Sequence, residues 1–85
     1  MKVKKPTPKE LEITNDWGTW TKGPSVFPWF YTEKETCYII SGKAEVMDDK
    51  GNNIKFEAGD WVEFDRGLTC TWKVTETLKK RYNFG

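Results

Sequence analysis

The sequence contains no histidine, and this absence restricts the chemistry that the protein can perform. Histidine is the most common general base and the most common side-chain ligand of transition metals. Cysteine is scarce as well, with only Cys37 and Cys70. Two cysteines without a leader-like segment indicate reduced thiols rather than a disulfide. Because they also lack the Cys-x-x-Cys spacing of redox motifs, two inert buried thiols are the simpler interpretation.

A large charge of one sign is missing too, because 14 basic and 13 acidic residues give a net charge of +1. Such a balance provides no long-range field to attract nucleic acid or an anionic membrane, so neither is expected as a partner. The basic clusters Lys2–Lys5 and Lys79–Arg81 are interpreted as solvated ends of the chain. No apolar run is long enough to cross a membrane or to act as a signal peptide, and we expect a cytoplasmic protein.

Aromatic residues, in contrast, are plentiful, with five Trp, five Phe and three Tyr in 85 residues. A chain of this length has room for one hydrophobic core, which predicts a single domain over residues 1–85. Each buried ring removes a large apolar area from water. The rings are therefore expected to fill a barrel or to line a pocket.

Short strands separated by turn residues dominate the pattern, with at most one short helical turn near the N-terminus. Thr7 and Glu10 have the spacing of a capping box, and Pro8 stands at the first helical position, which predicts a turn that ends near Leu11. Further along, alternating apolar residues are interrupted at regular intervals by Gly, Asp and Asn. Leu68–Val74 alternates most cleanly. These features predict an all-β barrel of eight to eleven short strands, a closed form that hides the sheet edges.

Two spacings match the signatures of a known family. In the first, Glu35 is followed by six residues and then Gly42, where the preceding strand is expected to end or bend. The family commonly places two histidines, one residue apart, shortly before this glutamate. Trp29 and Tyr31 stand at those two positions here.

The second spacing joins Gly59 to Gly67, with Asp65 where the family commonly has proline and Cys70 where it has histidine. In both signatures, and over residues 6–84, the chain resembles the cupins. The resemblance is more specific to the compact single-domain cupins that group with the cupin domain of ureidoglycine aminohydrolase. It implies a jelly-roll-like barrel that has lost its metal-binding histidines, and it brings no settled activity.

The correspondence with the cupin signatures implies that side chains from both of them meet in the barrel interior. The candidate ligand-pocket residues are Trp29, Tyr31, Glu35, Cys37, Cys70 and Trp72. The candidate catalytic residues among them are Glu35, Tyr31 and Cys70.

Two interpretations of this interior stay open. In the first it is an open pocket, with rings as walls and Glu35 as the fixed polar group. In the second the rings fill the barrel, and Glu35 is hydrogen-bonded to a Tyr hydroxyl or a Trp N–H. A metal is not expected, because Glu35 and Cys70 supply two ligands and Cys37 at most a third, whereas zinc takes four, or three and a water. No other cofactor is indicated.

Three functions are consistent with the sequence, and a metal-free module that binds a small molecule is favoured. One alternative is an enzyme that acts on a small nitrogen-containing metabolite with Glu35 as general base, which rests on family analogy. The other is a filled-barrel interaction protein that works through its outer face at Tyr38 and Ile40. An apolar outer face needs a cover. Trp17 and Trp20, or a second subunit in a homodimer, are expected to provide it.

Overall fold

The computed structural model describes all residues from Met1 to Gly85 and consists mainly of antiparallel strands in one sheet. A short helix with a 3₁₀ turn follows the first strand. The elements are β1 (Lys2–Lys4), α1 (Pro8–Ile13) with its 3₁₀ turn (Thr14–Asp16), β2 (Gly18–Lys22), β3 (Ser25–Phe30), β4 (Glu35–Asp48), β5 (Asn53–Glu57), β6 (Trp61–Phe64) and β7 (Thr69–Phe84).

Two long strands, β4 and β7, pair with each other along most of their length and hold the sheet together. Strand β4 also pairs with β6 near its start and with β5 near its end. Strand β7 pairs first with β3 and then with β2. Each long strand thus has the other long strand on one side and two different short strands, one after the other, on its other side. This change of partner lets the sheet curl around one interior. The all-β barrel prediction is confirmed, with seven strands instead of the expected eight to eleven.

The smaller number of strands has a local cause at Gly42. The sequence allowed a strand end here, but β4 continues through it with a change of register between Ile39 and Ala44. Gly42 has a φ of 89°, and a Cβ at this position would overlap the carbonyl oxygen of Thr77 on β7. Glycine thus permits a bulge in which the two backbones approach closely.

The predicted capping box at the start of α1 is present. The hydroxyl of Thr7 accepts a hydrogen bond from the Glu10 amide at 3.2 Å, and the Glu10 carboxylate accepts one from the Thr7 amide at 2.9 Å. The helix extends to Ile13, two residues beyond the expected end. Lys4 on β1 forms an ion pair with Glu10 at 2.7 Å, which joins the helix to the first strand. The chain forms no helix with the length and apolar character needed to span a bilayer.

The inner face of the sheet carries the hydrophobic core. The alternation predicted for Leu68–Val74 puts every second residue on this face: Leu68 is partly buried against the cluster, and Cys70, Trp72 and Val74 are buried. The buried members of the core are Tyr31, Cys37, Ile39, Ala44, Val46, Phe56, Val62, Phe64, Cys70, Trp72, Val74 and Leu78.

The outer face of β4 and β6 is covered from within the chain. Tyr38 lies opposite Trp61 in the register, and Trp17 packs against Trp61 with ring centroids 5.4 Å apart. Trp17 therefore provides part of the expected cover. The expectation was wrong for Trp20, which contacts the core residue Trp72 at a centroid distance of 6.0 Å.

Candidate functional site

The barrel interior opens into a cavity of about 160 Å³, most of whose lining residues are aromatic. Strands β2, β3 and β7 supply most of the rings, and the start of β4 supplies a carboxylate. Two of the rings, Trp29 and Phe84, are 48% and 42% exposed, which places them where the cavity meets solvent. The lining residues are Trp20, Phe27, Trp29, Tyr31, Glu35, Trp72, Lys80, Tyr82 and Phe84.

Two charged side chains of opposite sign lie together in this cavity. The ammonium nitrogen of Lys80 is 2.7 Å from Oε2 of Glu35, and both residues are buried. Oε1 of the same carboxylate accepts a hydrogen bond from the hydroxyl of Tyr31 at 2.6 Å. We call this buried set, Tyr31, Glu35 and Lys80, the polar triad. Both Glu35 oxygens are thereby satisfied.

Aromatic rings hold the lysine end of the polar triad. The Lys80 ammonium lies 4.7 Å from the ring centroid of Trp20 and 4.6 Å from that of Trp72. A cation over a ring face is attracted by about 0.5–1 kcal/mol at exposed sites and about 2 kcal/mol when desolvated. Burying two ions costs several kcal/mol each, which good geometry and further contacts must offset. The rings and the Tyr31 hydroxyl provide these further contacts.

Tyr31 acts as a donor in this arrangement. Burial raises the pKa of its phenol far above the ordinary value, and the neighbouring Glu35 charge raises it further. Its ring is stacked on Phe64, with centroids 5.1 Å apart and planes at 8°. The phenol therefore keeps its proton at neutral pH, and its orientation towards Glu35 is fixed.

The two cysteines do not line the cavity, although both were candidate pocket residues. Both thiols are free. Burial raises the pKa of Cys37 to about 12 and that of Cys70 to about 11. The Cys70 sulfur lies 3.5 Å from the carbonyl oxygen of Trp29 on the neighbouring strand. Because both pKa values lie well above 7, both thiols are protonated at neutral pH. The thiolate is the reactive form of cysteine, so neither thiol is activated as a nucleophile.

Four of the six pocket candidates are brought together at the cavity: Trp29, Tyr31, Glu35 and Trp72. Lys80 was not predicted, and its assignment to a solvated terminal cluster is wrong, because it is 5% exposed. A signal existed in the strand alternation. The inward-facing even positions Cys70 and Trp72 continue along β7 to position 80 once the strand is taken as unbroken.

The curled antiparallel sheet, its interior cavity and the glutamate at the start of β4 define a small cupin. The family profile of the EutQ-like cupin domain matches residues 10–82. The chain belongs to this family, and the resemblance to small single-domain cupins is confirmed. No curated protein matches the chain.

Solved structures agree with this family. A DUF861 family protein from Thermotoga maritima is 44% identical, with a TM-score of 0.95, over 99% of this chain and 98% of that one. The Clostridium difficile EutQ protein is 19% identical, with a TM-score of 0.73, over 79% of this chain and 52% of that one. A putative ethanolamine utilization protein Q from Salmonella typhimurium is 16% identical, with a TM-score of 0.73, over 96% of this chain and 66% of that one. The last two share the fold.

The residues of this interior do not fit the metal ion that cupins commonly hold. No three His, Cys, Asp or Glu side chains are grouped as metal ligands. Of the four signature positions, Trp29 offers no ligand atom, and Tyr31 donates its hydroxyl to Glu35. The Cys70 thiol contacts the β3 backbone, and Glu35 is engaged by an ammonium group 2.7 Å away. A dication next to the Lys80 ammonium would also be repelled by it.

Proposed function

We propose that this protein is a binding module for a small organic molecule, which enters the aromatic cavity and contacts the polar triad. The observation that carries the proposal is a cavity of about 160 Å³ in which a buried ion pair is surrounded by aromatic rings. Ligand sites are typically concave and mostly apolar, with a few well-placed polar groups. The cavity has this composition.

A role in ligand binding explains the polar triad better than a purely structural role does. A buried ion pair contributes little net stability compared with apolar residues of the same volume. The presence of this pair beside a cavity is therefore better explained by a ligand that uses the Glu35 and Lys80 groups. Trp29 is 48% exposed at the cavity, a degree of exposure that a bound molecule would reduce.

Two observations favour binding over the alternatives from the sequence. Both oxygens of Glu35 already accept hydrogen bonds, so a general base there would first have to release Tyr31 or Lys80. The outer face at Tyr38 and Ile40 is half-buried, and Trp17 packs against the adjacent Trp61. This cover weakens the case for a filled barrel that acts through that face.

The test is a thermal-shift screen of the wild-type protein against small metabolites, with Glu35→Gln measured alongside. A ligand at ten times its Kd should stabilise the fold by about 1.4 kcal/mol, or roughly 6–11 °C for a domain of this size. The shift should be lost or reduced in Glu35→Gln. It should persist in Glu63→Gln, whose carboxylate pairs with Lys34 at the surface. A hit that survives in Glu35→Gln would contradict the proposed site.

A further inference from the structure

The ion pair limits which molecule can fit beside it, and this inference rests on the function proposed above. We propose that the cavity binds a small, planar, uncharged ligand that presents an N–H donor next to a carbonyl oxygen, as a lactam or a carboxamide does. Cavity size, wall chemistry, charge and hydrogen-bonding capacity each support this ligand class.

Size and walls define the body of the ligand. The cavity measures about 160 Å³, and an apolar protein cavity of about 150 Å³ is large enough to hold benzene. A single six-membered ring with one small substituent therefore fills the space. Seven of the nine lining residues are hydrophobic, including Phe27 and Trp72, whose rings are nearly parallel at 9°. A flat ligand can place its faces or edges against such rings.

Charge favours a neutral ligand. Glu35 and Lys80 are the only charged residues that line the cavity, and their opposite charges lie 2.7 Å apart. A ligand carboxylate that approaches Lys80 also approaches the carboxylate of Glu35, which repels it. A ligand ammonium that approaches Glu35 meets the Lys80 ammonium in the same way. An uncharged ligand avoids both repulsions.

Hydrogen-bonding capacity defines the polar edge of the ligand. The Lys80 ammonium has three N–H donors, of which one is used on Glu35. The Glu35 carboxylate can accept about four hydrogen bonds, and two are made. The pair thus offers a donor and an acceptor side by side. A lactam carbonyl would accept from Lys80, while the adjacent lactam N–H would donate to Glu35.

The experiment titrates 2-pyridone, a six-membered planar lactam, into the isotopically labelled protein and follows the Trp indole N–H signals by NMR. N-methyl-2-pyridone is the matched probe, because it keeps the ring and the carbonyl and lacks the donor. Benzoate, benzylammonium and toluene test charge and purely apolar binding. We expect 2-pyridone to bind about tenfold or more tightly than each of them, since a hydrogen bond to a charged group is worth at least that factor.

A variant separates the polar contribution from the apolar one. In Tyr31→Phe/Glu35→Leu/Lys80→Met the triad is replaced by apolar side chains, a change that leaves no buried charge without a partner. Its 2-pyridone and N-methyl-2-pyridone Kd values should become equal within about twofold, while toluene binding persists. The control Lys34→Met/Glu63→Gln removes an ion pair of 3.0 Å outside the cavity and should keep the full preference.

The outcomes distinguish the two proposals. Equal binding of 2-pyridone and its N-methyl derivative to the wild-type protein, or tighter binding of benzoate or benzylammonium, would overturn the ligand class and leave a binding module intact. A complete failure of every probe, toluene included, would overturn both the ligand class and the cavity as a binding site.

Discussion

Lys80 joins the buried carboxylate of the interior to two of its aromatic rings. Its ammonium group is paired with Glu35 and lies over the rings of Trp20 and Trp72. The residue is buried, so each of these contacts replaces hydration that the ion has lost. Removal of Lys80 alone would leave the Glu35 carboxylate buried with a single hydrogen-bond donor, the Tyr31 hydroxyl.

We therefore predict a large difference between single and double substitutions of the ion pair. Lys80→Met should lower the free energy of unfolding by about 3–5 kcal/mol, because it leaves a buried charge uncompensated. Lys80→Met/Glu35→Gln should recover most of this loss, because neither charge remains and the introduced side-chain amide still accepts from Tyr31. Urea unfolding of the four proteins in the double-mutant cycle measures the coupling. Additive losses would show that the two residues do not stabilise each other.

Burial of the Cys37 thiol should make the free energy of unfolding fall at alkaline pH. Its pKa is raised from the ordinary 9.0 to about 12 by burial, so the folded protein holds a proton that the unfolded chain releases above pH 9.0. The stability that the protonated Cys37 thiol contributes is complete below pH 9.0. It is lost as the pH rises towards 12, at about 1.4 kcal/mol per pH unit. Between pH 8 and pH 10.5 the wild type should lose about 2 kcal/mol more than Cys37→Ala. The free energies of unfolding are measured by urea unfolding at both pH values. An equal loss in the two proteins would contradict the prediction.

At the scale of elements, the bulge in β4 lets one strand serve both halves of the barrel. Gly42 combines a φ of 89° with close contact to the Thr77 backbone. Gly51 has nearly the same φ, 87°, but nothing lies within 4 Å of where its Cβ would be. A side chain at Gly51 would therefore meet only backbone strain, whereas one at Gly42 would meet both backbone strain and steric overlap.

We predict that Gly42→Ala destabilises the protein more than Gly51→Ala. The second substitution should cost about 1–2 kcal/mol, because alanine disfavours the left-handed region. The first adds the displacement of the β7 backbone and should exceed that cost by at least about 1–2 kcal/mol, comparable to overpacking in a core. Thermal unfolding of both variants checks the order. Equal losses would mean that the bulge adapts to a methyl group without cost.

Much of the fold and part of the site could be predicted at this scale. The Thr7–Glu10 capping box depends on residues three apart, so local chemistry was sufficient to find it. Gly42 was ambiguous, because a glycine in a strand marks an end or a bulge, and only its partner strand decides. Lys80 was missed because the alternation seen in the sequence covers only Leu68–Val74, whereas β7 continues unbroken to Phe84. Burial of a lysine also depends on a partner 45 positions away, which no local pattern reveals.

At the scale of the whole molecule, subunit association is the open prediction. The homodimer, which the sequence offered as one of two covers for the face at Tyr38, stays a prediction. Because Trp17 packs over part of that face, a dimer contact is now expected elsewhere. Val26 and Phe30 on β3 are 66% and 56% exposed and are the kind of apolar surface that association buries. Sedimentation equilibrium at micromolar concentration tests this expectation. A mass of 10.0 kDa would contradict a dimer, and twice that mass would support it.

The order in which the strands leave the ribosome has a consequence for this architecture. Strand β7 contacts β2, β3 and β4, yet it is the last of the seven to be synthesised. Until it emerges, those three strands have no common partner, and the apolar side chains that face it stay exposed to solvent. We therefore expect the barrel to close only after β7 is complete, because these three pairings are non-local and all require that strand.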